Sequence, residues 1–117
     1  MIYKICTAAD WAAAEEAGLY HGAAVDKRDG YIHFSTAGQV RETAAKHFAG
    51  EHDLVLVTVD DGRLGAALKW EPSRGGALFP HLYGPLPLAT VINTVPLPLG
   101  DDGRHVFPAA IDDSSAA

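Results

Sequence analysis

Residues 54–59 read Leu-Val-Leu-Val-Thr-Val, a run of strand length that carries no charge and is rich in β-branched side chains. A strand with one wet face alternates apolar and polar residues. This one does not, so it is read as the central strand of a sheet, packed on both faces. Asp60-Asp61-Gly62 closes it with a turn. A chain of 117 residues has room for one domain around one hydrophobic core and no separate regulatory module. Its 48% apolar and 21% charged residues are the composition of a globular chain, not of a disordered, collagen-like or membrane one.

The formal charge is -6. Asp101, Asp102, Asp112 and Asp113 against Arg104 place half of it after residue 100, and the body is mildly acidic. A field of that sign repels phosphodiester backbones, and no Lys/Arg cluster with interleaved aromatics occurs. General nucleic-acid binding is therefore not expected, whereas a small anionic ligand in a local pocket is compatible with the charge. Cys6 is the only cysteine, which excludes an internal disulfide and a cysteine-based zinc framework and fits a reducing compartment. Met1 runs directly into a strand-like segment, and no stretch approaches the roughly 18 apolar residues of a membrane span. The expectation is a cytoplasmic protein without membrane association.

Residues 2–6 read as a first strand, with Ile2, Lys4 and Cys6 on one face and Tyr3 and Ile5 on the other. Thr7 and Asp10 make a weakened capping box for an Ala-rich helix that Gly18 stops. Residues 18–30 read as a loop, with a turn at Asp29-Gly30. In Tyr31-Ile32-His33-Phe34-Ser35 a strand buries Ile32 and Phe34 and sets Tyr31, His33 and Ser35 on the opposite face. Thr36 and Gln39 form an S/T-x-x-Q helix start, and Val40, Thr43, Ala44, His47 and Phe48 follow at helical spacing up to Gly50. Residues 67–70 read as a strand, 71–76 as a loop, 78–83 as an extended piece, 84–87 as a turn, and 88–95 as a strand or a half-turn followed by one. After Leu99 the composition predicts a frayed polar tail.

Four polar clusters can carry chemistry: Lys4; His33 with Ser35 and Thr36; Glu71 with Arg74; and His81 with Tyr83. The strand end at Ser35 runs into a helix start, whose free N–H groups and dipole favour a phosphate or carboxylate. Each cluster also has a plain structural explanation. A strand histidine is often a satisfied half-buried residue, His81 can pack beside Pro80 and Leu82, and Glu71 and Arg74 can pair across an exposed loop at little energetic gain. Two residues on one strand face lie about 6.6 Å apart, too far for His33 to activate Ser35 directly. No nucleophile elbow, Walker A loop or dinucleotide fingerprint is present. No HExxH or His-x-His pair occurs, so no metal is expected. Cys6 reads as a small core thiol.

The segments IYKIC, DGYIHFST-x-x-Q, LVLVTVD and LKWEPSRGG-x-LFPHLYGPLPL, in this order, resemble the bacterial domain-of-unknown-function family 952 over roughly residues 1–97. The resemblance implies the ADP-ribosylation fold, as in NAD-dependent tRNA 2′-phosphotransferase and the ADP-ribosyltransferases: an α+β domain of small mixed or antiparallel split sheets with two to three helices. One domain over residues 1–99 is expected on this basis, and the composition of residues 100–117 gives a polar, disordered tail. It also implies a cleft for NAD or an ADP-ribose-type nucleotide, with chemistry at the nicotinamide glycosidic bond. His33 matches the family's strand histidine, which implies a ribose contact. Where the family often has histidine this chain has Lys4; lysine accepts no hydrogen bond but can meet a phosphate as a point charge. By the same analogy Ser35, Thr36 and Arg74 would receive the pyrophosphate, Tyr83 would stack on a base, and Glu71 or His81 would orient the acceptor. A noncatalytic ligand-binding module and a structural or oligomerising domain are the alternatives. The oligomeric state is open.

Overall fold

The computed structural model describes residues 1–111, apart from the side chain of Arg74. In it β4 (Leu54–Val59) is the middle strand of a three-stranded antiparallel sheet. On one side lies β1 (Ile2–Thr7), registered Ile2 to Val59 and Thr7 to Leu54; on the other lies β8 (Val91–Pro96). Strand alternation divides the buried side chains between the faces. Ile2, Cys6, Val57 and Val59 join one apolar cluster, and Tyr3, Ile5, Leu54 and Leu56 join the other. A core on each face is why β4 has no polar alternation.

The first cluster is completed by Trp11 and Ala14 of α1 (Ala8–Ala17) and by the two-stranded pairing of β2 (Leu19–Tyr20) with β7 (Leu86–Pro87). The Thr7 side chain accepts a hydrogen bond from the Asp10 N–H, and Gly18 ends α1 in the left-handed conformation. The second cluster takes Val40 and Ala44 from α3 (Val40–His47) and Leu97 and Ile111 from the chain beyond β8, with Phe107 packed against it. Composition predicts fraying from residue 100, yet Leu99 pairs with His105 and Ile111 is buried. Two apolar side chains in a polar stretch are enough to fasten it. Residues 112–117 of the expected tail lie outside the described residues.

A second antiparallel sheet runs in the order β3 (Ile32–His33), β6 (Leu78–Leu82), β5 (Leu68–Pro72). Ile32 faces Leu82 and His33 faces His81 across the β3–β6 pair. The Phe34 N–H donates to the Pro80 carbonyl in this sheet, while Tyr3 and Ser35 exchange backbone hydrogen bonds of 2.8 and 2.9 Å in the other direction. The chain thus steps from one sheet to the next within two residues. The architecture is α+β, with three helices and split antiparallel sheets. Among the described residues no helix is long and apolar enough to cross a membrane.

Three local expectations are corrected. The segment 18–30 is not a plain loop, because it holds β2 and α2 (Ala24–Asp29). The helix expected from Thr36 begins at Val40, since residues 36–39 form a turn in which the Gln39 side chain accepts the Thr36 N–H. The strand expected at 67–70 extends through Pro72 and includes Glu71; β5 is an edge strand, where proline is tolerated.

Gly22 adopts φ 98, and a Cβ there would stand 2.7 Å from the Asp26 Cβ, whereas at Gly30, with φ 88, a Cβ would meet nothing within 4 Å. Gly30→Ala is expected to cost about 1–2 kcal/mol through the left-handed backbone alone. Gly22→Ala should cost clearly more in the same urea unfolding series. Equal losses would show that the Gly22–Asp26 approach is not tight.

Candidate functional site

Asp26 of α2 is only 1% exposed, and an ionised carboxylate in such a place must be fully partnered. The Lys4 ammonium lies 3.0 Å from Oδ1 and 2.9 Å from Oδ2. The Ala23 N–H donates to Oδ2 at 2.7 Å, the His33 N–H donates to Oδ1 at 3.1 Å, and His33 Nδ1 sits 2.6 Å from Oδ1. Burial pushes the Asp26 carboxyl up. The His33 hydrogen bond and the charge and hydrogen bond of Lys4 more than offset this and leave it well below the usual carboxylate range. Lys4, expected to meet a ligand phosphate, is itself buried and directs its charge to Asp26.

His33 is held at both ring nitrogens, for Nε2 lies 3.0 Å from Asp29 Oδ2. Carboxylates only accept, so both contacts are hydrogen bonds at once when both nitrogens carry protons. Asp29 Oδ1 in turn accepts from Arg28 Nε at 3.1 Å, and this bond is the leading cause that holds the Asp29 carboxyl below its ordinary value.

Across the ladder, His81 is buried with Nδ1 2.8 Å from Glu71 Oε1, which also accepts the Tyr83 hydroxyl at 2.7 Å. The Tyr83 and His81 hydrogen bonds lower the Glu71 carboxyl, and the same contact pushes the Tyr83 phenol up to about 12. Tyr31 stacks on His81 with centroids 4.1 Å apart and touches both His33 and Tyr83. The two histidine rings stand edge to face at 5.6 Å.

Both histidines line a cleft of about 480 Å³, together with Lys4, Ser35, Arg28 and Asp29; Phe48 and Phe79 provide apolar wall. The Ser35 hydroxyl pairs with that of Thr43 at 2.8 Å. Of the residues expected from sequence, Lys4, His33, Ser35 and His81 therefore meet in one place. Glu71 and Tyr83 join them through His81 without lining the wall. Thr36 stands outside the wall with its N–H taken by Gln39, and the Arg74 backbone lies in the turn after β5 while its side chain lies outside what is described.

Sequence reasoning missed Asp26, Asp29 and Arg28, all on α2. A signal was available: Lys4 faces inward on a strand of apolar residues, which demands a buried carboxylate, and Asp26 lies in a stretch bracketed by Gly22 and Gly30. The Cys6 thiol is pushed up to about 12 by burial, which matches a core thiol rather than a nucleophile. Among the described residues no group of three or more His, Cys, Asp and Glu side chains is arranged to hold a metal.

The sequence profile of the family described as Protein of unknown function (DUF952) matches residues 5–94, and the chain belongs to that family. The crystal structure of protein CC0527 from Caulobacter crescentus is similar at 48% identity and a TM-score of 0.91, over 95% of this chain and 97% of that one. The solution NMR structure of CC0527 is similar at 47% identity and a TM-score of 0.81, over 99% of this chain and 97% of that one. No curated protein matches the chain.

Two predictions follow the site's electrostatics. Because the folded Asp26 carboxyl titrates well below its unfolded value of about 3.9, its contribution is complete above about pH 5, begins to fall near pH 4 and is lost progressively as the pH drops toward the folded value. Asp26→Asn should cost about 3 kcal/mol at pH 7 by stranding Lys4, and its stability should fall less steeply between pH 5 and 3 in urea unfolding. An unchanged acid slope would remove Asp26 as the titrating group. In a spectrophotometric phenol titration, Glu71→Gln should bring Tyr83 from about 12 back toward about 10; no change would mean that Glu71 does not hold the hydroxyl.

Proposed function

We propose that the cleft binds a nucleotide of the NAD or ADP-ribose kind on a fold of the ADP-ribosylation type, and that its chemistry is transfer at the nicotinamide glycosidic bond. One observation supports this most: His33 and His81, in register across β3 and β6, line the same cleft, and each has Nδ1 fixed by a carboxylate. A carboxylate at Nδ1 sets the ring orientation, so a ligand meets Nε2, which at His33 requires it to displace Asp29. The cavity of about 480 Å³ falls within the roughly 300–1,000 Å³ of small-molecule sites.

In this reading His33 Nε2 meets a ribose hydroxyl in place of Asp29, and Tyr83, 40% exposed and outside the cleft wall, offers an aromatic face to a nicotinamide or adenine ring that extends past His81. The bond from the ribose anomeric carbon to the nicotinamide nitrogen breaks, and its electron pair goes to that nitrogen. The acceptor oxygen bonds to the oxocarbenium-like carbon, and its proton passes to His81 Nε2. Glu71 acts through His81 as a positioning residue, since it touches Nδ1 and does not line the cleft.

Binding without turnover is the second reading. It is favoured by the wall itself, where Asp29 is the one carboxylate residue among the described lining residues, so no glutamate stands ready to align an acceptor.

Titration calorimetry with NAD and with ADP-ribose, followed by an assay for released nicotinamide, tests both. Saturable binding is expected in the wild type and a loss of about tenfold in His81→Ala, the scale of one polar contact. Nicotinamide release selects transfer, and binding with intact NAD selects the noncatalytic module. No binding of either nucleotide to the wild type would overturn the proposal.

A further inference from the structure

We propose that Arg28 and His33 form a binding subsite for a phosphoryl group, and that the free protein fills it with its own Asp29 carboxylate. The inference shares the cleft and the His33 Nε2 atom with the nucleotide reading, and it adds Arg28 and Asp29, which that reading does not use. One carboxylate bridges two donors that come from different elements. Asp29 Oδ1 takes Arg28 Nε at 3.1 Å on α2, and Asp29 Oδ2 takes His33 Nε2 at 3.0 Å on β3. All three residues line the cleft. The other ring nitrogen of His33 is held by Asp26, so a ligand that engages the imidazole edge must replace Asp29 at Nε2.

Asp29 is suited to being replaced. It is the last residue of α2, its side chain keeps 30% of its exposure, and the helix is anchored elsewhere, by Asp26 to Lys4, Ala23 and His33. Turning its carboxylate toward water gives up one contact to β3, while the Asp26 contacts to Lys4 and His33 still hold α2. The Lys4 charge stays with Asp26, and the departing Asp29 uncovers Arg28 and His33 beside each other.

The internal carboxylate also selects the ligand's chemistry. A ligand bearing a single carboxylate offers what Asp29 already offers, and a tethered group outcompetes a dissolved equivalent through its high effective concentration. A phosphoryl group brings up to two charges and three acceptor oxygens, and arginine suits that geometry. Asp29 therefore sets a threshold that phosphoryl ligands pass and monocarboxylates do not. No bond is made or broken; the exchange is one of hydrogen-bond partners.

The test is titration calorimetry with inorganic pyrophosphate, acetate and ADP-ribose on the wild type, Asp29→Ala and the double variant Arg28→Ala/Asp29→Ala, with the His33 ring nitrogens followed by NMR. Removing the competing charge should tighten pyrophosphate about tenfold, as expected for one unit charge a few ångströms away in a partly solvated cleft. The double variant should lose that gain, acetate should bind no form of the chain that retains Asp29, and the His33 Nε2 resonance should move in both variants, since both remove its Asp29 partner. Pyrophosphate binding that is no tighter in Asp29→Ala than in the wild type, or a gain that survives loss of Arg28, overturns the subsite. Tightened pyrophosphate without any ADP-ribose binding upholds the subsite and removes the nucleotide reading. ADP-ribose binding indifferent to Asp29 does the reverse.

Discussion

The negative charge of Asp26 lies where water does not reach, and the surrounding structure is arranged to answer it. Four donor groups make five contacts to the two Asp26 oxygens, from β1, β3 and the entry to α2. A buried ion pair contributes little net stability compared with apolar residues of the same shape, yet losing one partner is severely unfavourable. The pairing therefore acts as a specification. Lys4 cannot occupy its inward strand position unless α2 brings Asp26 to it, and α2 cannot dock without Lys4 and His33. A six-residue helix too short to persist alone is thereby held as one wall of a cleft.

The two histidines inherit different surroundings from this arrangement. His33 is oriented from beneath by a carboxylate that solvent does not touch, and its outer nitrogen is met by a half-exposed one. His81 is itself buried, and its carboxylate, Glu71, sits on an edge strand where Tyr83 shares it. Tyr31 packs between the two systems and fixes the ring spacing. Similarity to CC0527 over 97% of that chain indicates that the split-sheet backbone carrying these groups is common to both proteins.

Much of this was legible in the residues. The uncharged run at 54–59 announced a strand covered on both faces, Thr7 and Gly18 marked the ends of α1, and the alternation at 31–35 placed His33 opposite the buried Ile32 and Phe34. What escaped was tertiary in origin. Helix α2 has no amphipathic period long enough to detect and exists because Asp26 finds Lys4, 22 positions away. Glu71 precedes a proline and reads as loop, but pairing of β5 with β6 extends the strand through both. Phe107 and Ile111 vanish into the average composition of a polar segment until the second core gives them a place. His33 and His81 could be named singly, while their exact pairing across the ladder required the register of two strands.

The step from Phe34 to Ser35 has a mechanical consequence. Phe34 is bonded to the sheet that carries His81, and Ser35 to the sheet that carries Lys4. The two sheets thus meet at one peptide link, between Phe34 and Ser35, one residue beyond His33. His33 is paired with His81 in one sheet, and two residues later Ser35 is bonded to Tyr3, the neighbour of Lys4, in the other. The backbone on either side of this histidine thus belongs to both sheets, and its side chain is aimed by the two together.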